Sequence, residues 1–242
     1  MMLDRALIRW GGMAAMIGAG LGFIFNLLHP RSEAAASSTV GHLHLVANSD
    51  IWIFVHFMLA WSLAFALIGL ITIGRSLTHP ISATVARYAI PSAIVGIGVG
   101  FVTLGVDGPA VKHVADEFLA THSPAATGAA TAVVEIGEVL FIGTIGSLFG
   151  LTPLLYGVAL LQGDEYPTGL GWLAVGSGIG GLLIASVMYL AGFSNLMANV
   201  LFPIVATAFI VWSFIMGWRL WNTRDVAAPA RESAVTTEPL LR

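Results

Sequence analysis

Two things are scarce in this 242-residue sequence: it has no cysteine, and only 10% of its residues are charged. The lack of cysteine excludes disulfides, thiolate metal ligands and cysteine nucleophiles, so any bound metal must use histidine and carboxylate ligands. Soluble domains carry a charge on about a quarter of their residues. The low charge, together with 57% hydrophobic residues, therefore predicts an integral membrane protein.

Signals for several common ligands are missing as well. The net charge is −3 and no run of Lys or Arg forms a basic stripe, so we expect no nucleic-acid partner. No glycine-rich run lies between a strand and a helix with a lysine after it, which argues against a nucleotide site. Haem would need pairs of histidines on facing central spans, and the sequence has none.

Six apolar segments are long enough to cross a bilayer, for which about 20 residues suffice. They predict an all-α, polytopic transmembrane bundle with spans at 10–28, 51–73, 88–106, 126–161, 170–191 and 197–221. The link up to Asp50 is expected to be a polar loop. Asp107-Gly108-Pro109 is typical of a turn, and residues 110–119 then predict an amphipathic helix on the membrane surface. Residues 223–242 lack apolar periodicity and predict a disordered cytoplasmic tail.

The basic residues predict the orientation of the bundle, because cytoplasmic loops are enriched in Lys and Arg. Placing both termini in the cytoplasm puts eight of the ten basic residues inside and leaves only Arg31 and Lys112 outside. This topology is typical of a multi-pass protein of a bacterial inner or plasma membrane. It also places most histidines at the outer face. Alternatively, the first segment is a cleaved signal peptide, since Ala34-Ala35-Ala36-Ser37 resembles a cleavage site.

Glycine recurs at intervals of four residues within the spans. Small residues at this spacing allow membrane helices to approach closely, so we expect packing seams within the bundle or against a second copy or a larger membrane complex. The pairs are Gly18/Gly22, Gly96/Gly100, Gly146/Gly150 and Gly176/Gly180.

Two carboxylates interrupt the fourth apolar segment. Glu135 and Glu138 are three residues apart and share a helical face. An ionisable group at membrane depth is by default a candidate functional residue, and with Asp107 these acids are candidates for acid–base catalysis. The alternative is that both glutamates lie in the wet interface, because this segment of 36 residues is longer than one crossing requires.

Histidines near the same end suggest a metal site. His56 lies in the outer third of the second span, and His113 and Glu117 share one face of the predicted surface helix. Imidazole and carboxylate groups of this kind bind zinc-like or iron-like divalent ions. We therefore predict His56, His113 and Glu117 as candidate metal ligands, beside the acids.

Two stretches resemble known membrane proteins. The motifs at 107–116 and 154–161, followed by Tyr166-Pro167 and Gly169-x-Gly171-Trp172-Leu173, resemble a loose group of uncharacterised bacterial multi-span proteins over residues 100–190. The resemblance implies a helical bundle and does not indicate which activity the protein has. In length and isolated membrane acids the chain is also similar to integral-membrane terpene cyclases, which protonate isoprenoids. No motif residue carries over, and those proteins usually have seven spans.

Three functional hypotheses follow. The first is binding of a small or hydrophobic ligand, with proton or metal-ion movement, at an outward-facing polar cavity. The second is a membrane enzyme that uses a carboxylic acid on a lipid or isoprenoid. The third is an accessory subunit of a larger membrane complex, docked through its glycine-rich helix faces.

Overall fold

The computed structural model describes residues 5–31, 38–194 and 196–222. The predicted tail (223–242), the cleavage-like alanines (34–37) and Asn195 lie outside these ranges. All regular secondary structure in the described residues is helical: α1 Arg5–Leu28, α2 Thr39–Ala47, α3 Trp52–Ser76, α4 Pro80–Gly105, π1 Val106–Ala110, α5 Val111–Thr121, α6 Pro124–Thr144, π2 Ile145–Leu151, α7 Thr152–Leu161, α8 Thr168–Ala191, π3 Met197–Leu201 and α9 Phe202–Trp221.

Six helical stretches are long and apolar enough to cross a membrane, which confirms the predicted all-α fold class and its six spans. Three of these stretches are composite. The third runs without a break through α4, π1 and α5, the fourth through α6, π2 and α7, and the sixth through π3 and α9.

Small residues bring the spans together as the glycine spacing predicts. A Cβ on Gly18 would lie 2.6 Å from the backbone nitrogen of Ala66, and one on Gly69 would lie 2.5 Å from Cβ of Ala15, so α1 and α3 pack almost backbone to backbone. Most of the other predicted glycines also face a neighbouring helix. Gly176 does not, since a Cβ added there would have no atom within 4 Å; a role of this glycine in packing against a second copy or a larger complex stays a prediction.

The first and last helices meet at one end of the bundle. Arg9 lies over the ring of Trp221 at 4.8 Å, so the first and last helices meet at one end, which we call the terminal end.

At the terminal end, the loop between α7 and α8 is hydrogen-bonded to the residues just before α4. Glu165 Oε1 accepts hydrogen bonds from the backbone N–H groups of Thr78 and His79 and from the Thr78 hydroxyl, at 2.8, 2.6 and 3.0 Å. Burial raises the pKa of Glu165, but these hydrogen bonds outweigh it and hold the pKa below its usual value.

The predicted turn at Asp107-Gly108-Pro109 is wrong, because the chain continues there as π1. Proline lacks an N–H and its ring crowds the preceding turn, and a wider π-helical turn relieves that crowding. Prolines also accompany the other two π segments: Pro153 lies in the first turn after π2, and Pro203 in the first turn after π3. The proline that suggested the end of a helix is therefore accommodated by a wider helical turn, and the helix continues.

The third stretch, Pro80–Thr121, has 42 residues. At 1.5 Å per residue it is roughly 63 Å long, about twice the thickness of a bilayer core, so α5 extends beyond the apolar layer. Helix α5 pairs with the first half of α6, and α2 packs against them. We call this three-helix unit the cap.

The cap has its own small core, formed by Leu43, Val46, Trp52, Val111, Ala115, Phe118 and Ala130. Helix α2 replaces the polar loop that the sequence predicted. It forms because Ser38 Oγ accepts a hydrogen bond from Gly41 N at 3.0 Å, and because Leu43 and Val46 then lie fully buried on one side. The cap covers the end of the bundle opposite the terminal end.

Candidate functional site: a histidine and aspartate cluster under the cap

Three side chains at the ends of three spans meet where the bundle joins the cap. His29 follows the last residue of α1, His56 lies in the second turn of α3, and Asp107 lies in π1. One ligand atom from each lies within 4.8 Å of the other two. Within the residues that the structure describes, this is the one histidine and carboxylate group with metal-like spacing.

The hydrogen bonds of His56 fix its tautomer. Its Nδ1 lies 2.8 Å from the backbone oxygen of Trp52, one turn earlier in α3. A carbonyl oxygen only accepts, so Nδ1 must carry the hydrogen. The other ring nitrogen, Nε2, lies 3.0 Å from Oδ2 of Asp107. His56 is 2% exposed, so the ring has no competing contact with water.

His29 is oriented in the same way. Its Nδ1 donates to the backbone oxygen of Pro30 at 3.1 Å, which leaves the Nε2 lone pair available. Burial, with a smaller contribution from the nearby His56, lowers the pKa of His29 to about 4, and Asp107 opposes the change. The imidazole of His29 is therefore neutral near pH 7, which is the form that binds metals or accepts a proton.

Asp107 is the open side of the cluster. Its side chain is 35% exposed, whereas His56 beside it is almost fully buried. Because Nδ1 of His56 already donates elsewhere, the contact between Nε2 and Oδ2 needs a single proton or a cation between the two atoms. The cluster can thus hold one positive charge, and Asp107 gives solvent a way to reach it.

Trp52 forms the wall behind the cluster. Its indole Nε1 donates to the backbone oxygen of Asp107 at 2.8 Å, which ties α3 to π1. The ring centroids of His29 and His56 lie 5.0 and 4.7 Å from that of Trp52. His42, on α2, lies against the same indole at 5.7 Å, and burial lowers its pKa as well.

Gly108 sets the distance between the helices at this point. A Cβ added there would lie 2.8 Å from Cβ and 3.1 Å from Cγ of His56, closer than ordinary packing allows. Only glycine at this position lets π1 approach α3 closely enough for Asp107 to reach His56.

The structure brings together only some of the residues that the sequence predicted. His56 and Asp107 are in contact. His113 and Glu117 are exposed on the outer face of α5 and are not part of the cluster, so the predicted set of His56, His113 and Glu117 is not assembled. The reason is that α5 continues the axis of α4 away from the bundle and does not fold back over it.

The two glutamates also lie apart from the cluster. Both are on α6, where Glu135 is exposed and Glu138 is half-buried. Their neighbours Ile136 and Val139 are exposed by 55% and 63%. Whether these acids lie in the wet interface or at membrane depth stays a prediction, and neither belongs to the cluster of His29, His56 and Asp107.

Sequence reasoning missed His29, His42 and Trp52 as members of the site. A signal was present for one of them, because Trp52 and His56 are four residues apart at the start of a span, and such residues share a helical face. His29 stands directly after the end of the preceding span. A comparison with protein-family models, curated proteins and solved structures finds no match to this chain.

Proposed function

We propose that this protein binds a divalent transition-metal ion at the junction of bundle and cap, through His29 Nε2, His56 Nε2 and an oxygen of Asp107. One observation carries the proposal: each imidazole donates its Nδ1–H to a backbone carbonyl, and one ligand atom from each of His29, His56 and Asp107 lies within 4.8 Å of the other two. Metal-binding histidines almost always have such a partner on the second nitrogen, which orients the ring.

The ligand types favour zinc or ferrous iron. Two imidazole nitrogens and one carboxylate oxygen suit these ions, whereas magnesium and calcium prefer all-oxygen sites and copper(I) prefers sulfur. Three protein ligands leave coordination positions open, as in catalytic sites and unlike four-ligand structural sites. The exposed side of Asp107 would give water or a substrate access to those positions.

Buried ionisable side chains are scarce in the part of the bundle that the structure describes. Among the described residues, His56 is the only buried side chain of the His, Asp, Glu, Lys and Arg types; the other buried polar groups include the hydroxyls of Ser62, Thr72, Ser82, Thr103, Thr144, Thr152, Ser177 and Ser213. A pathway through the bilayer usually contains such ionisable groups. We therefore favour a resident ion that binds or activates a molecule at the membrane boundary over an ion in transit.

Metal loading tests this proposal. The purified protein in mild detergent would be treated with a chelator, reloaded with Zn²⁺ or anaerobic Fe²⁺, dialysed and analysed for metal by mass spectrometry. We expect one ion per chain, and a loss of at least about tenfold in affinity for H29N, H56N and D107N. The matched controls H113N and E135Q/E138Q should bind as the wild type does.

A second measurement protects the test against misfolded variants. X-ray absorption on the loaded wild-type protein should show two imidazole nitrogens at about 2.0–2.1 Å from zinc. Folding of each variant would be checked by size-exclusion chromatography and circular dichroism. Absence of metal from the wild type, metal retained by a folded H29N/H56N/D107N triple variant, or loss of metal in E135Q/E138Q would contradict the proposal.

A further inference from the structure

A groove at the terminal end lies between α1 and α3, far from the histidine cluster. Its volume is about 550 Å³, within the usual range of ligand sites. Apart from Thr72 and Arg75, its walls are apolar or glycine, with Met13, Ile17 and Phe65 among them. The floor is closed where Gly11 packs against Thr72, too tightly for any side chain at position 11.

Arg75 gives the groove a charged end. It lies in the last turn of α3, is exposed, and forms no hydrogen bond or ion pair with any described residue. Arg9 precedes the groove-lining residue Trp10 in the sequence, but it packs over Trp221 and lines no part of the groove. Trp10 lines the same end and exposes 61% of its surface, as expected for an aromatic residue at the lipid headgroups.

The second groove of the bundle provides a contrast. It lies between α8 and the π3–α9 stretch, has a volume of about 310 Å³, and is lined only by apolar side chains and a glycine. Lipid tails can cover such a surface without any preference for a headgroup. The groove between α1 and α3 differs because the guanidinium of Arg75 stands at its mouth and has no ion pair with any described residue.

We propose that the groove between α1 and α3 binds one anionic phospholipid, with an acyl chain along the apolar walls and the headgroup phosphate on Arg75. A guanidinium forms two parallel hydrogen bonds to a phosphate. In a zwitterionic lipid the ammonium group of the same headgroup weakens this attraction. Basic pockets between membrane helices commonly select anionic lipids in this way. The proposal is independent of the metal site.

Native mass spectrometry tests the proposal. The full chain would be released from mixed nanodiscs containing equal amounts of phosphatidylglycerol and phosphatidylcholine with identical acyl chains. We expect one phosphatidylglycerol per chain to be retained, at least fivefold over phosphatidylcholine, and R75Q to lose this preference. R87Q is the matched control, since Arg87 is exposed on α4 near the same end of the bundle and does not line the groove.

A second pair of variants tests the acyl-chain part. I17W places a larger side chain in the groove, and I24W makes the same change on α1 at an exposed position outside it. Retention of the lipid should fall in I17W and persist in I24W. Equal retention of both lipids by the wild type, an equal decrease in R75Q and R87Q, or an equal effect of the two tryptophans would overturn the proposal.

Discussion

Replacing Gly108 with alanine tests the link between helix packing and the histidine cluster. The new Cβ would lie 2.8 Å from Cβ of His56, about 0.6 Å inside the lower limit of ordinary contact at 3.4 Å. His56 cannot turn aside, because Trp52 O and Asp107 Oδ2 hold both of its nitrogens. The strain must therefore be relieved by moving π1 away from α3.

The size of the effect follows from that displacement. Over-packing of this kind costs about 1–3 kcal/mol of unfolding free energy. An outward shift would also lengthen the contact of Asp107 with His56 and that with the Trp52 indole, now 3.0 and 2.8 Å. Because both contacts orient the proposed ligands, metal affinity should fall about tenfold in the same variant.

Gly105 provides the matched control one turn earlier. No atom lies within 4 Å of a Cβ built on it, so G105A should be neutral or should stabilise the helix by up to about 1 kcal/mol. Unfolding in mixed micelles of mild detergent and dodecyl sulfate measures both variants, and zinc titration measures the site. Equal stability changes in G108A and G105A would refute the packing argument. A destabilised G108A with unchanged zinc affinity would refute its connection to the site.

Three further predictions concern other contacts. W52F removes the indole hydrogen bond to Asp107 O and should lower the unfolding free energy by at least about 1 kcal/mol, whereas W10F, at an exposed ring, should not change it. G18A should push α1 from α3 and destabilise the bundle by about 1–3 kcal/mol, while G20A, with open space around it, should not. The carboxylate of Glu165 has a lowered pKa in the folded protein, so it stabilises the fold above its usual value of 4.5, and that stability is lost as the pH falls through the lowered value. Wild-type protein should therefore lose stability over that acidic window more steeply than E165Q; parallel pH profiles would contradict the assigned role of Glu165.

Hydropathy was sufficient to predict the six spans of the bundle. A span must satisfy its backbone hydrogen bonds internally, so any apolar stretch of about 20 residues becomes a helix whatever its neighbours do. The six spans could therefore be predicted from the sequence, and so could close packing at Gly18, but not that α3 is its partner. The location and tilt of each helix depend on side-chain fit across several spans, which the sequence pattern does not contain.

The errors at Asp107 and at α2 have a local cause. Asp-Gly-Pro is a turn signal in water, where an interrupted helix can bond to solvent. At the edge of a bilayer the same residues keep the helix intact through a π-helical turn, because broken backbone hydrogen bonds cost more there. Helix α2 was missed because it has only nine residues, too few for a stable isolated helix, and it packs against the partners that α5 and α6 provide.

The candidate site could be predicted only in part, and the reason differs from that for Asp107 and α2. His56 and Asp107 were named from the sequence as titratable groups near one end, but their contact requires a specific register between α3 and π1. His113 and Glu117 have the correct helical spacing for a metal site and yet lie exposed, since i and i+4 spacing defines a face without defining what the face meets.

The cluster is organised by contacts that do not depend on any ion. The carbonyl of Trp52 is one helical turn from His56, and the carbonyl of Pro30 belongs to the residue next to His29, so local backbone fixes both tautomers. Gly108 and the Trp52 indole then fix the position of Asp107 relative to these rings. Ligands held in this way lose little side-chain freedom when an ion binds, which raises affinity without adding a contact. A histidine kept only for packing would need one satisfied nitrogen. His56 instead also directs its second nitrogen at the partly exposed carboxylate of Asp107, 3.0 Å away, and His29 belongs to the same cluster; this is the feature that favours a binding site over a structural hydrogen-bond network.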